Sequence, residues 1–169
     1  MAGTTPIVTN TKIVDGDGNV SYKAEFVFDA AANADKHYAP GVKEAFTNGV
    51  NENTLTGHFL VMKVKANKEK NIQFYVTDTN HYVNAKLTGV SETEWTTYVV
   101  DLTKLNSGEP LADNGNGEYV INYLRVDYFD DVNHEVGDYL EFAEMGIIDT
   151  LDAVQGDYTA INFEKPTAE

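Results

Sequence analysis

The stretch Ile72-Gln73-Phe74-Tyr75-Val76-Thr77-Asp78-Thr79-Asn80-His81-Tyr82-Val83-Asn84-Ala85-Lys86-Leu87 decides the fold. Ile72, Phe74 and Val76 alternate with Gln73, Tyr75 and Thr77. Beyond the turn-like Asp78-Thr79-Asn80, Val83, Ala85 and Leu87 alternate with Tyr82, Asn84 and Lys86. A spacing of two puts each set on one side of an extended chain, so the stretch reads as two half-buried strands joined in a hairpin.

The same period recurs on either side. Tyr22, Ala24, Phe26 and Phe28 oppose Ser21, Lys23 and Glu25, and an opening strand over residues 7–14 turns at Asp15-Gly16-Asp17-Gly18. In residues 58–65, Leu60, Met62 and Val64 alternate with Phe59, Val61, Lys63 and Lys65; apolar surface on both faces marks a central strand. Tyr98, Val100 and Leu102 alternate with Thr97, Val99 and Asp101, and Leu124 and Val126 with Tyr123, Arg125 and Asp127. Further strands are expected over 139–148 and 158–163, making about nine or ten. Helical spacing is confined to residues 30–34 and to Val42, Ala45 and Phe46, too short to cross over between parallel strands. The expectation is an all-β, antiparallel β-sandwich or jelly roll with one or two short helical turns.

The chain has 169 residues, no cysteine, and a formal net charge of −15. That length suits one domain with a core of its own, which needs no disulfides. We place the module at residues 1–163 and read 164–169, Glu-Lys-Pro-Thr-Ala-Glu, as the start of a linker or tail to other modules of the same parent chain. The charge argues against nucleic acid or an anionic membrane surface as partner. No apolar run approaches the roughly 20 residues of a membrane span, and no charged-then-apolar leader opens the chain. Ten tyrosines outnumber eight phenylalanines, as when many rings keep one wet edge.

Three runs carry a resemblance: Glu94-Trp95-Thr96-Thr97-Tyr98-Val99-Val100-Asp101-Leu102, Ile121-Asn122-Tyr123-Leu124-Arg125-Val126-Asp127, and Gly137-Asp138-Tyr139-Leu140-Glu141-Phe142. Their order and spacing resemble a galactose-binding-like jelly roll, found as carbohydrate-binding modules in secreted bacterial polysaccharide-degrading and surface-adherence proteins. The resemblance implies a β-sandwich, a secreted or cell-surface location, sugar binding without catalysis, and a structural calcium. It would set that calcium between Glu25 and Asp29 on an early strand and Asp138 and Glu141 on a late one. Asp127, Asp130 and Asp131 form a competing set.

Sugar recognition needs flat rings for the C–H faces of pyranoses and planar polar groups for their hydroxyls. The polar faces of three strands supply both: Gln73, Tyr75 and Thr77; Tyr82, Asn84 and Lys86; Tyr123, Arg125 and Asp127. A second candidate set lies near turns, where binding residues collect: His37, Tyr38, Asn80, His81, Tyr128, Asn133 and His134. Trp95 opens a strand and is expected to pack as a core or edge ring. Four scattered histidines give no zinc spacing, and Asp15-Gly16-Asp17-Gly18-Asn19-Val20 fails as a calcium loop because Val20 stands where the sharp turn needs Gly.

For catalysis, a lyase arrangement of Tyr123, Arg125 and Lys86 would face an acidic sugar that a −15 protein repels. No G-x-S-x-G elbow, phosphate-cradling glycine loop or HExxH pair occurs. The reading is therefore a nonenzymatic module binding neutral polysaccharide, glucan-type favoured. The alternative is a structural or protein-binding β-sandwich module of a cell-surface protein.

Overall fold

A computed structural model describes residues 8–27, 55–76, 81–106, 120–121, 124–127 and 135–167, with backbone alone for residues 8, 55–56, 120–121 and 124–127. Its strands are β1 (Val8–Val14), β2 (Val20–Phe26), β3 (Leu55–Thr56), β4 (Phe59–Ala66), β5 (Lys70–Val76), β6 (Tyr82–Leu87), β7 (Thr96–Asp101), β8 (Val120–Ile121), β9 (Leu124–Asp127), β10 (Tyr139–Ile148) and β11 (Thr159–Ala160). They build a six-stranded sheet in the order β1-β2-β10-β4-β7-β11, a three-stranded sheet β6-β5-β9, and a two-stranded pair β3-β8. The fold is an all-β sandwich.

Period two explains the core. Phe26, Leu60, Met62, Val64, Leu140 and Phe142 of the large sheet join Ile72, Phe74, Val76, Val83 and Leu87 of the small one in a single buried cluster. The strand read as central is central: β4 lies between β10 and β7, with Leu60, Met62 and Val64 at 0% exposure. The expected hairpin is β5-β6, with Tyr75 opposite Tyr82 and Gln73 opposite Asn84.

Some details differ from the sequence reading. β7 buries both faces, because Val99 and Asp101 are covered as well as Tyr98 and Val100. The cover is the C-terminal segment. Its two-residue strand β11 runs parallel to β7, the one parallel pairing among the described strands, and replaces the longer strand expected over 158–163. Asn162 fastens the segment. Its Oδ1 accepts from the Asp101 N–H at 2.7 Å, and its Nδ2 donates to the Asp101 and Lys104 carbonyls at 2.7 and 3.2 Å. Phe163 packs on Phe59 with ring centroids 5.5 Å apart. The short helical turns expected at 30–34 and 42–46 lie outside the described residues; the described one is a 3-10 turn at Leu151–Ala153. Among the described residues no helix is long and apolar enough to cross a membrane.

Two corners tie the sheets together. Residues 67–69 carry the chain from β4 in the large sheet to β5 in the small one, and Asp138 locks that crossing. Its carboxylate accepts from Asn67 Nδ2 at 2.9 Å and the Glu135 N–H at 2.7 Å, and pairs with Lys68 and Lys70 at 2.5 and 3.1 Å. Burial opposes ionisation of Asp138, yet the bonds from Lys68, Asn67, Glu135 and Lys70 outweigh it and hold the pKa at about 2. On the return crossing, the fully buried Tyr98 donates its hydroxyl to the Thr88 carbonyl at 2.5 Å. Burial pushes that phenol up to about 12.

The Asp15 turn is a hydrogen-bonded turn between β1 and β2. Asp15 Oδ1 accepts from the Asp17 and Asn19 N–H groups at 2.9 and 2.8 Å, and Gly18 supplies the positive φ of 85°. These bonds hold the Asp15 carboxyl below the usual carboxylate range, the Asn19 side chain contributing most.

Candidate functional site

The polar positions of the small sheet come together as the alternation requires. In β5 and β6 the outward residues pair across the ladder as Asn71 with Lys86, Gln73 with Asn84, and Tyr75 with Tyr82. On the other side of β5, Arg125 lies opposite Tyr75 and Asp127 opposite Gln73, which puts both positions on the same face. The Tyr75 and Tyr82 rings, both partly exposed, sit 5.8 Å apart with planes inclined at 41°. Tyr75 donates its hydroxyl to Gln73 Oε1 at 2.7 Å, and Gln73 Nε2 donates to Asn84 Oδ1 at 2.8 Å. A line of ring, amide and amide is thereby held at fixed spacing. Lys86 stands at the end of the face, 3.6 Å from Glu69 and largely solvated.

The free edge of β6 is closed by Asn106. Its N–H donates to the Tyr82 carbonyl at 2.9 Å, and its Oδ1 accepts from the Asn84 N–H at 2.9 Å. The face is therefore a bounded plate with one protected margin.

Of the turn-borne candidates, His81 lies at the start of β6, where its carbonyl accepts from the Val76 N–H at 2.8 Å. His37, Tyr38, Tyr123 and Tyr128 lie outside the described residues, as do Asn80, Asn133, His134 and Asp29.

The calcium candidates take other partners. Asp138 is engaged by Lys68, Lys70, Asn67 and Glu135; Glu25 pairs with Lys23 at 2.7 Å; Glu141 accepts from Ser21 Oγ at 2.5 Å. Among the described residues no three carboxylates or histidines gather as a metal site would require. Asp138 holds ammonium groups where the resemblance implied calcium.

A second polar surface, absent from the sequence reading, lies on the outer face of the large sheet. Register aligns Ser21, Ala143 and Lys63 across β2, β10 and β4, with Lys23, Glu141 and Lys65 in the next row. A groove of about 410 Å³ runs over these rows between Trp95 and the β1-β2 turn. Trp95 is not a packed core ring: it is 38% exposed, with the Lys65 ammonium 4.6 Å from its centroid. Glu144 sits at a bulge in β10 with φ of 49° and pairs with Lys63 at 2.6 Å. Period two does place Ser21, Lys63 and Lys65 outward. What it lacks is the information that their strands are neighbours.

No family model, no curated protein and no solved structure matches the chain.

Proposed function

We propose that this chain is a noncatalytic module that binds neutral polysaccharide, glucan-type favoured, on the outward face of β5, β6 and β9. The observation that carries the reading is the Tyr75–Tyr82 pair standing beside the linked amides of Gln73 and Asn84 on the outward face of one sheet. Rings of this kind lie against the C–H faces of pyranoses, while amides satisfy hydroxyls as both donor and acceptor. Most of the platform is ordered by its own bonds before a ligand arrives, which lowers the ordering cost of binding. A neutral ligand suits a chain of net charge −15, since it suffers no long-range repulsion.

The reading takes the galactose-binding-like likeness as its family, a secreted or cell-surface protein as its setting, and a structural calcium as an addition that the carboxylates outside the described residues would have to supply. A flat site of this size holds weakly, so retention on an insoluble polymer would be multiplied by linkage to further modules.

Affinity electrophoresis against a panel of neutral polysaccharides tests it. The native protein is expected to be retarded by at least one glucan, and Tyr75→Ala combined with Tyr82→Ala to remove most of that retardation. A native protein that no neutral glycan slows would overturn the reading. Retardation untouched by the tyrosine changes would overturn the assignment to this face.

A further inference from the structure

We propose that the groove beside Trp95 is a second glycan site, which takes a single neutral sugar chain, so that one molecule joins two polymers from opposite sides of the sandwich. The choice of ligand class rests on the reading above; the site itself stands on separate observations.

The first is the ring. Trp95 is the chain's one tryptophan, and it remains 38% exposed beside the strand that would let it pack. An exposed indole offers the flat face on which the C–H side of a pyranose stacks. Lys65 steadies the ring from 4.6 Å, and among the described residues no carboxylate pairs with that ammonium. It remains a donor for a hydroxyl at the edge of the ring.

The second is the polar lining. Glu141 uses Oε1 for Ser21 Oγ, which orients the carboxylate across the groove floor and leaves Oε2 as an acceptor. Lys63 is aligned by Glu144. Two ammonium groups, Lys63 and Lys65, face three carboxylates, Asp15, Glu141 and Glu144, around one groove. A polyanion meets net repulsion there and a polycation finds two lysines in its way, whereas a chain of hydroxyls can donate to the carboxylates and accept from the ammonium groups.

The third is the backbone. Glu144 is the non-glycine residue with positive φ among the described residues, and it stands at the bulge that forms one end of the groove. Left-handed conformations of non-glycine residues and bulges both concentrate where a site is being shaped. The volume, about 410 Å³, falls in the range of small-ligand sites. The groove is thus fitted to one chain.

Because Trp95 is the single tryptophan, its emission reports on the groove alone. The test titrates the native protein with soluble α- and β-linked gluco-oligosaccharides, following tryptophan fluorescence and calorimetric stoichiometry in parallel. We expect a saturable change in emission, two oligosaccharides bound per native molecule, and one per molecule in Tyr75→Ala/Tyr82→Ala with the emission change intact. Trp95→Ala should also bind one, and Glu141→Gln, a change of nearly equal size, should weaken the emission titration about tenfold.

Calorimetric binding of one oligosaccharide with no change in emission overturns the groove site and leaves the tyrosine face standing. Full loss of binding in Trp95→Ala, with the tyrosine variant unchanged, supports the groove and overturns the tyrosine face. Silence in both signals with every oligosaccharide overturns both.

Discussion

The Lys70 ammonium lies 3.1 Å from the Asp138 carboxylate, with the two side chains 3% and 5% exposed, at the crossing between the two sheets. Lys68 and Asn67 reach the same carboxylate, so the corner residues converge on one acid immediately before β10. Removing that charge takes away the acceptor on which Asn67, Lys68, Lys70 and the Glu135 N–H converge. Asp138→Asn is expected to lower stability by about 3 kcal/mol, because a buried charge pair at the crossing is broken. Urea unfolding at neutral pH measures this directly.

The same residue sets an acid limb. Its folded pKa, about 2, lies below the ordinary value of 3.8, so the stabilisation is complete above about pH 4 and is lost as pH falls toward 2. A shift of that size corresponds to about 2 kcal/mol. Stability measured from pH 5 to pH 2 should fall more steeply for the native protein than for Asp138→Asn. Parallel curves would show that the pair carries no such linkage.

Gly57 joins β3 to β4 with φ of 148°, and a Cβ placed there would stand 2.6 Å from Ile147 Cγ2 and 3.0 Å from the Ile148 carbonyl oxygen. Neither neighbour is the loose end of a long side chain. Gly57→Ala should therefore cost about 2 kcal/mol from crowding and backbone strain together. Gly16→Ala, with nothing within 4 Å of the added atom, serves as the control and should change little in thermal melts.

Glu144 holds φ of 49° with a side chain 69% exposed. Its pair with Lys63 is a surface pair and contributes little, whereas the left-handed backbone costs about 1 kcal/mol in a residue with a Cβ. Glu144→Gly is expected to leave stability equal or slightly higher, and Glu144→Val to lower it by about 1 kcal/mol. Denaturant midpoints of the two variants, compared with the native protein, decide it; equal losses in both would mean that the ion pair and not the backbone governs this position.

Asn162 makes three hydrogen bonds to the backbone of Asp101 and Lys104 from a partly buried position. Asn162→Ala should cost about 2 kcal/mol and release the C-terminal segment locally. Limited chymotrypsin digestion should then cut after Phe163, whose ring otherwise packs on Phe59, faster than in the native protein.

Much of this architecture was legible in local spacing. Alternation in residues 72–87 identifies the hairpin and the residues that share its outward face, and Tyr75, Tyr82, Gln73 and Asn84 are found together because their partners are near in sequence. The groove was not legible, because Ser21, Lys63, Trp95 and Glu141 come from four separate segments. Period two says which side each occupies and nothing about which strands are neighbours. The partners of Asp138 were not legible for a related reason: the resemblance offers it as a calcium ligand, and spacing alone does not bring Lys68 and Lys70 to its carboxylate. Trp95 is expected as a core or edge ring; it is not a core ring, and the ammonium over it comes from Lys65, thirty positions earlier in the chain.

The bulge in β10 also governs what insertions and deletions the chain can accept. Between Ala143 and Gly146 the ladder slips by one residue against β4, so Ala143 pairs with Lys63 and Gly146 with Val61. Leu140 and Phe142 fill the core before the slip, and Ile147, opposite Leu60, fills it afterwards. Deleting Glu144 would take out the extra residue and leave a regular ladder, with Gly146 still opposite Val61 and Ile147 still turned to the core opposite Leu60. The far half of the strand therefore tolerates the loss of one residue at this point, at the expense of the kink that shapes the end of the groove.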